Sequence, residues 1–190
     1  MTFSSPQVEE RFRRGFKYFN RVMVVLFRLG LGWWLQVWPR VTGQILVLVH
    51  QGRKTGLTRR TPLNFARVDG DLYVLAGFGP AADWYRNVRA CPEVEVWLPN
   101  GWWSALAEEA SDHPERLRLL RAVLVGSGFA AYAFGVSPRM SDERLQEVTA
   151  KYRLLRLRPT EARTGPGGPG DLAWVWPVAA TFLLLRRRCR

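Results

Sequence analysis

The stretch HQGRKTGLTRRTPLN, His50–Asn64, is the part of the sequence from which the fold can be worked out. It follows a continuous apolar run at 45–49 and leads into a second strand-like run at 61–68. Gly52 and Gly56 lie between the two runs, and glycine permits tight turns and close approach of the backbone to a ligand. The pattern predicts a β-hairpin with a ligand-facing turn.

The predicted hairpin is strongly basic. Its four cations are Arg53, Lys54, Arg59 and Arg60. A cationic turn with free backbone N–H groups can cradle an anion. A P-loop is disfavoured, because that motif needs glycine directly before the lysine and a helix after it; here Arg53 precedes Lys54, and a strand-like run with Pro62 follows. We expect an anion-binding hairpin; a solvated basic turn without a ligand is the alternative.

Length and charge limit the classes of function. A chain of 190 residues with 47% hydrophobic residues is long and apolar enough for one folded domain with appendages. The net charge of +12 predicts attraction to polyanions, namely phosphorylated cofactors, acidic lipids or nucleic acid. Nucleic acid is disfavoured as a partner, because the sequence contains no helix-turn-helix, zinc-knuckle or aromatic RNP pattern.

Cysteine and histidine usage predicts neither a disulfide framework nor a metal site. Cys91 and Cys189 lie far apart without a CxxC pattern, which is typical of a reducing compartment, so a cytoplasmic protein is expected. Two histidines are too few for a metal cluster. His113 lies in a helix-start context and is expected at the surface.

An N-terminal unit is predicted over residues 1–40, comprising a basic amphipathic helix at 7–31 and a Trp-rich connector. Large apolar residues recur in the helix at steps of three and four: Val8, Phe12, Phe16, Phe19, Met23, Leu26 and Phe27. Basic residues occupy its other face, so the helix either lies on an anionic membrane or packs on its own domain. It does not have the pattern of a signal peptide.

The central unit, residues 41–160, is predicted to be an α+β barrel. Short strands are expected at 45–49, 61–68, 72–76, 94–97, 102–110 and 152–157. Helices are inserted between them, at 81–90, after Ser111-Asp112 with Glu115 completing a capping box, and from Ser141. Antiparallel strands with inserted helices favour this class of fold.

The C-terminal unit, residues 161–190, is predicted to be a Gly/Pro linker at 165–170 followed by an apolar, Arg-ended tail. A helix over the fourteen apolar residues 172–185 would span about 21 Å, short of the roughly 30 Å hydrocarbon core of a bilayer. The tail is therefore expected to make a shallow membrane contact, to pack as an arm, or to bind a partner.

Several short blocks now resemble, in order, the deazaflavin (F420)-dependent nitroreductase family of split β-barrel flavin/deazaflavin oxidoreductases. The blocks are Gly52-Arg53-Lys54-Thr55-Gly56, Arg60-Thr61-Pro62-Leu63, Asp69-Gly70, Trp84-Tyr85-Arg86-Asn87-Val88 and Cys91-Pro92-Glu93-Val94. The resemblance covers roughly residues 10–158 and is specific as a combination. It implies a six-stranded split barrel that binds coenzyme F420, or less often FMN or FAD, in a cationic groove.

The resemblance also implies which residues bind the cofactor. The matching positions are Arg53, Lys54, Thr55 and Gly56 for the phosphate and carboxylate tail with Arg59 or Arg60 nearby, Thr61 and Pro62 alongside the cofactor, Ala76 and Gly77 at the end of the third strand, and Trp84 and Asn87 on the covering helix. The Asn87 side chain is expected to form hydrogen bonds. Trp84 either packs on the cofactor or anchors the core.

The implied activity is transfer of a hydride from F420H2 to a small hydrophobic acceptor such as a quinone, an enone or a nitro compound. The alternatives are an FMN- or FAD-dependent reductase and a non-catalytic cofactor- or lipid-binding protein. Tyr132 is the candidate catalytic residue, since its hydroxyl could donate to a carbonyl that gains charge; a core or rim aromatic is the alternative. Peripheral contact with the inner face of an anionic membrane is expected, and a dimer is left open.

Two positions depart from the family pattern. Gly77-Phe78-Gly79 stands where family members of the nitroreductase type often carry a lysine, and Asn64 stands where they tend to have tyrosine. Both departures bear on the substrate and on the exact cofactor, and neither affects the residues expected to bind the phosphate tail.

Overall fold

A computed structural model describes residues 18–37, 43–133 and 135–188 and shows a closed barrel. Its six strands are β1 (Ile45–Gln51), β2 (Thr58–Val68), β3 (Asp71–Ala76), β4 (Glu93–Leu98), β5 (Gly101–Glu109) and β6 (Arg153–Ala162). They close in the order β1-β2-β3-β6-β5-β4, and every neighbouring pair is antiparallel. The predicted α+β barrel of about six strands is confirmed.

Helices lie before, between and after the strands. They are α1, helical over 18–28 of the described residues, then α2 (Asp83–Ala90), α3 (Arg116–Gly126), α4 (Phe129–Ala133), α5 (Asp142–Val148) and α6 (Val175–Arg188). Short 3-10 turns occupy Trp34–Gln36 and Gly79–Ala81. The first part of the predicted N-terminal helix, at 7–17, falls outside the described residues.

Strand β1 separates two apolar cores, because successive side chains of a strand point to opposite faces. Leu46 and Leu48 are fully buried in the barrel interior. Ile45, Val47 and Val49 point outward and pack with Met23 and Phe27 of α1. The apolar face predicted for α1 is therefore partly used to cover the barrel.

Helix α3 covers the outer side of β2 and β3 and ends directly on the barrel backbone. At Gly126 an added Cβ would lie 2.3 Å from the Phe65 carbonyl oxygen, so no side chain is tolerated there. The Gly126 carbonyl accepts the Gln44 N–H at 2.6 Å. The end of α3 is thus hydrogen-bonded to the residue that precedes β1 and packed against the backbone of β2.

The predicted capping box before α3 is wrong. The helix begins at Arg116, and its N-cap residue, Glu115, makes no side-chain capping bond. Ser111 is buried, where its hydroxyl donates to the Glu109 carboxylate and accepts the Leu154 N–H at 2.9 Å. A buried backbone N–H needs a partner, so Ser111 serves the sheet instead of the helix.

Ser141, in contrast, caps α5 as predicted. Its hydroxyl accepts the Arg144 N–H at 3.3 Å. Its neighbours on the helix side, Asp142 and Glu143, give the first turn of α5 the negative charge that favours a helix N-terminus.

The segment 165–188, here called the C-terminal arm, lies against α1. Asp171 accepts three hydrogen bonds from the Arg28 guanidinium, the shortest at 2.7 Å. Backbone bonds from Gly170 to Phe27 and from Leu172 to Arg28, both 2.9 Å, continue the contact. Among the residues that the structure describes, no helix is long and apolar enough to cross a membrane.

Candidate functional site

The β1–β2 turn is a compact loop, residues 52–57, with its own hydrogen bonds. Gly52 donates to the Leu57 carbonyl at 2.9 Å, and Gly56 donates to the Gly52 carbonyl at 2.7 Å. Gly56 has a φ of 65°, which glycine adopts without strain. Because most N–H groups of the loop bond within the protein, the expected cradle of free backbone N–H groups is not formed, and its anion-binding capacity lies in the side chains.

Arg53 fixes this loop to helix α2. Its backbone N–H and its Nη1 donate to the Asn87 side-chain oxygen at 3.2 and 2.9 Å. Its Nη2 lies 3.2 Å from an Asp83 carboxylate oxygen. Two residues of the predicted site, Arg53 and Asn87, are therefore brought together, and the contact positions the loop.

The other three cations of the hairpin have different surroundings. Lys54 and Arg59 are exposed, and neither has an ion-pair partner among the described residues. Arg60 points to the outer face, where its guanidinium lies 5.1 Å from the Trp97 ring centroid. Its Nη2 also donates to the Gly167 carbonyl at 3.5 Å. The charges available at the loop are those of Lys54 and Arg59.

A buried histidine, His50, lies beneath the loop and was absent from the predicted site. Its Nε2 is 3.0 Å from the Thr61 hydroxyl, and its Nδ1 is 3.5 Å from the Asn87 side-chain nitrogen. Burial lowers the pKa of His50; a backbone hydrogen bond at Gln51 acts in the opposite direction, and the charge of Arg59 lowers it further. Its spacing of two and four residues from Leu48 and Leu46 was the available sequence signal, since it predicts an inward-facing side chain.

A cavity of about 480 Å³ opens beside β2. Four of the predicted cofactor-binding residues line it: Thr61, Pro62, Gly77 and Trp84. The opposite wall is apolar and comes from the end of α3, from α4 and from Val136. Asn64, Tyr152 and, from helix α1, Asn20 supply polar groups. The volume lies in the range of small-molecule sites, about 300–1,000 Å³.

Helix α2, which carries Trp84 and Asn87, is held by a carboxylate below it. Glu109 accepts hydrogen bonds from the Tyr85 hydroxyl at 2.6 Å and from Arg89 at 2.9 Å. Burial raises the pKa of Glu109, but hydrogen bonds from Ser111, Tyr85 and Arg89 outweigh it and hold that pKa below the ordinary value. Glu109 is therefore charged at neutral pH, which keeps α2 in place.

The sequence of this region matches a known protein family. The family model described as F420H(2)-dependent quinone reductase matches residues 32–141, more than half of the chain. The chain belongs to this family. It is therefore an oxidoreductase that depends on F420, and the predicted resemblance is confirmed.

Solved structures show similarity at low identity. Rv2991 from Mycobacterium tuberculosis, a conserved hypothetical protein, is 20% identical with a TM-score of 0.47, covering 63% of this chain and 75% of the other. An F420-H2 dependent reductase, FDR-A, is 22% identical with a TM-score of 0.44, covering 60% and 93%. An FAD-binding protein from Mesorhizobium loti is 20% identical with a TM-score of 0.42, covering 63% and 83%. At these scores the family membership rests on the sequence match.

Three predicted residues outside the basic hairpin do not line the cavity of this quinone-reductase family member. Ala76 is buried in the barrel interior, and Asn87 is buried under the loop. Tyr132 on α4 is 51% exposed and is not among the residues that line the cavity. Tyr152 does line it, and burial raises the pKa of its hydroxyl. The roles predicted for these residues stay predictions.

The described residues fit the cofactor that the family name implies. An anionic tail needs exposed cations, which Lys54 and Arg59 supply at the loop. A planar ring needs an open apolar slot, which the cavity supplies between β2, Trp84 and the end of α3. Asp83 lines the cavity and also binds Arg53, so the loop and the cavity are parts of one connected surface.

Proposed function

We propose that the chain binds coenzyme F420 across the loop and the cavity and reduces a small hydrophobic acceptor. The observation that carries this proposal is the connection between the two parts, because Arg53 joins a loop with exposed cations to the helix that lines an apolar cavity. A ligand with a charged tail and a flat apolar ring can occupy both parts at once.

The cofactor's phosphodiester and glutamate tail would lie on the loop. Lys54 on the turn and Arg59 at the start of β2 would form charge-assisted bonds to it, with Thr55 and Gly56 between them in the chain. Arg53 and Asn87 would act through the shape of this turn, since their groups already bind each other. Arg60, which stacks on Trp97, would contribute mainly to the surrounding positive field.

The ring would occupy the cavity, with Thr61, Pro62 and Gly77 along one edge and Trp84 at the rim. When bound, F420H2 supplies the hydride, so the protein needs only to bind, orient and exclude water. Ala76 would support this edge from the barrel interior.

The acceptor would lie on the apolar wall, beside Leu124, Ala131 and Val136. A quinone, an enone or a nitro compound matches this wall, because each has an apolar body with an oxygen that gains charge on reduction. Tyr132 is the predicted donor to that oxygen. Tyr152, whose ring lines the cavity, is the competing candidate.

Titration with F420, FMN and FAD in separate arms tests the cofactor. We expect F420 to bind most tightly; preferential binding of a flavin would make the chain a flavin-dependent reductase. Rapid mixing of the F420H2-loaded protein with menadione, an enone and a nitroaromatic then tests turnover. Oxidation no faster than in the absence of protein, for all three acceptors, would favour a non-catalytic carrier.

We also propose that the C-terminal arm makes peripheral contact with an anionic membrane. Trp174, Val178, Phe182, Leu184 and Leu185 are each more than half exposed. Arg186 lies beside them with its guanidinium 5.3 Å from the Phe182 ring centroid. Large apolar side chains next to arginines are typical of segments that lie on lipid head groups.

Sedimentation with liposomes of anionic and of neutral lipid tests this contact. Wild-type protein should sediment with the anionic vesicles, and the Phe182→Ser/Leu185→Ser variant should not. Asp171→Asn should give an intermediate result, because it weakens the bond between Arg28 and the arm. Equal sedimentation of wild type and the double variant would remove the arm from membrane binding.

A further inference from the structure

The hydrogen bonds around Asn87 determine which of its side-chain atoms is the oxygen. Two Arg53 donors, the backbone N–H and Nη1, converge on one atom at 3.2 and 2.9 Å, and only an oxygen can accept both. The Asn87 side-chain NH2 group therefore faces His50 at 3.5 Å. Since that group only donates, a hydrogen bond between the two requires a lone pair on the His50 Nδ1 that faces it.

The protonation of His50 follows from this arrangement. A neutral imidazole with a lone pair on Nδ1 carries its proton on Nε2. Nε2 lies 3.0 Å from the Thr61 hydroxyl oxygen, so Nε2–H donates to that oxygen. The Thr61 hydroxyl proton is then free to point elsewhere, and Thr61 lines the cavity.

We propose that His50 is a positioning residue that fixes the direction of the Thr61 hydroxyl, so that Thr61 donates a hydrogen bond to an acceptor atom of the ring bound in the cavity. The inference rests on the proposed function for the identity of that ring. The hydrogen-bonded series from Arg53 through Asn87 and His50 to Thr61 links the loop that binds the anionic tail with the cavity that binds the ring.

Charging His50 would break this series. With protons on both ring nitrogens, Nδ1–H would face the Asn87 NH2 group, and two donors cannot bond each other. The other groups around the ring are the Arg59 charge from β2 and the backbone at Gln51. Arg59 opposes the charged form, and the Gln51 backbone favours it.

Nitrogen-15 NMR of the imidazoles tests the tautomer directly, without any ligand. The chain contains only two histidines, and the His113→Gln variant assigns the signals. We expect His50 to show the neutral Nε2–H tautomer at pH 7 and to titrate below the ordinary value of about 6.5. An Nδ1–H tautomer, which would turn its proton toward the Gln51 backbone, would overturn the proposal.

Two conservative variants separate the two contacts of the ring. In His50→Gln the amide nitrogen can occupy the place of Nε2 and donate to Thr61. In His50→Asn the amide oxygen can occupy the place of Nδ1 and accept from Asn87, but nothing then reaches Thr61. If His50 has only a structural role, the Asn and Gln substitutions both change the shape of the side chain and should impair binding equally.

The F420 affinity of wild-type protein and of each variant is measured by fluorescence titration. We expect His50→Asn and Thr61→Val to weaken binding by a similar factor of about five to ten, the effect of one hydrogen bond, and His50→Gln to remain close to wild type. Equal losses in both His50 variants, or none in Thr61→Val, would overturn the proposal. If wild-type protein does not bind F420, the proposed cofactor is wrong, whereas the NMR result still decides the tautomer of His50.

Discussion

The inward and outward sides of strand β1 build two regions that are held together in different ways. On the inward side, His50 continues from Leu46 and Leu48 into a series of polar contacts that ends at the loop. On the outward side, Val47 and Val49 pack against α1, and α1 holds the C-terminal arm through the Arg28–Asp171 pair and two backbone hydrogen bonds.

The difference shows how one strand can serve two purposes. Directional hydrogen bonds position a few atoms closely, which a binding site needs, whereas apolar packing supplies stability with little directional demand. We therefore expect changes on the outward side to act mainly on the free energy of unfolding, and changes on the inward side to act mainly on ligand binding.

Phe27→Ala should have the largest effect. Phe27 is 1% exposed between α1 and the barrel, and removal of such a side chain costs about 3–5 kcal/mol of unfolding free energy. Denaturant unfolding measures this, with Val25→Ala as the control, because Val25 is 46% exposed on the same helix. A loss below about 1 kcal/mol would mean that α1 contributes little to the barrel.

Lys54→Ala/Arg59→Ala should affect binding and leave stability unchanged. Each charge-assisted bond contributes roughly 1.5–3 kcal/mol, so the double variant should bind F420 at least about a hundredfold more weakly. Both side chains are exposed, so the unfolding free energy should stay within about 0.5 kcal/mol of wild type.

The Arg139→Ala/Arg144→Ala variant is the matched control for this charge change. It removes two exposed cations from around α5, and its F420 affinity should be near that of wild type. An equal loss in both double variants would show that F420 responds only to the net charge of the protein and does not bind the loop.

Arg53→Met should affect both the free energy of unfolding and ligand binding. It removes the Nη1 donor that lies 2.9 Å from the Asn87 side-chain oxygen, on a residue that is 7% exposed, and keeps the backbone N–H donor at 3.2 Å. The loss of one part-buried hydrogen bond from a charged donor costs about 1.5–3 kcal/mol. Denaturant unfolding should show this loss, and F420 affinity should fall with it; unchanged stability would mean that Arg53 does not anchor the loop.

The smallest expected effect is the pH dependence from His50. Because the pKa of His50 is lowered on folding, the unfolded chain binds the proton first as the pH falls below about 6.5. Stability should therefore decrease from that pH downward until the pH reaches the folded pKa. The His50→Gln variant lacks this contribution, so its stability should fall less steeply just below pH 6.5, and identical slopes would contradict the prediction.

The barrel could be predicted from the sequence, because apolar alternation and Gly-containing turns act locally. The turns at Gly52 and Gly56 and at Asp69-Gly70 fall where β1, β2 and β3 end or begin. The short sequence blocks that resemble the family predicted the loop and the residues of α2 in the same local way. These signals depend on neighbours in the chain.

The parts that could not be predicted depend on contacts between distant residues. Ser111 has the local pattern of a helix cap, but the Leu154 N–H, 43 residues away, uses its hydroxyl. Gly168 belongs to a segment expected to be a linker, yet an added Cβ there would lie 2.4 Å from the Trp102 ring. Neither contact produces a periodic pattern in the sequence, so neither could be predicted from it.

The glycine at the end of α3 also bears on how the cavity selects its ligand. Because Gly126 rests on the Phe65 carbonyl and accepts the Gln44 N–H, this wall cannot move outward without breaking strand contacts. The wall loses its conformational entropy when the chain folds, so little further entropy is lost when a ligand enters. Discrimination among acceptors should thus follow their width and flatness, and bulky or bent analogues should be rejected even when their redox potential is favourable.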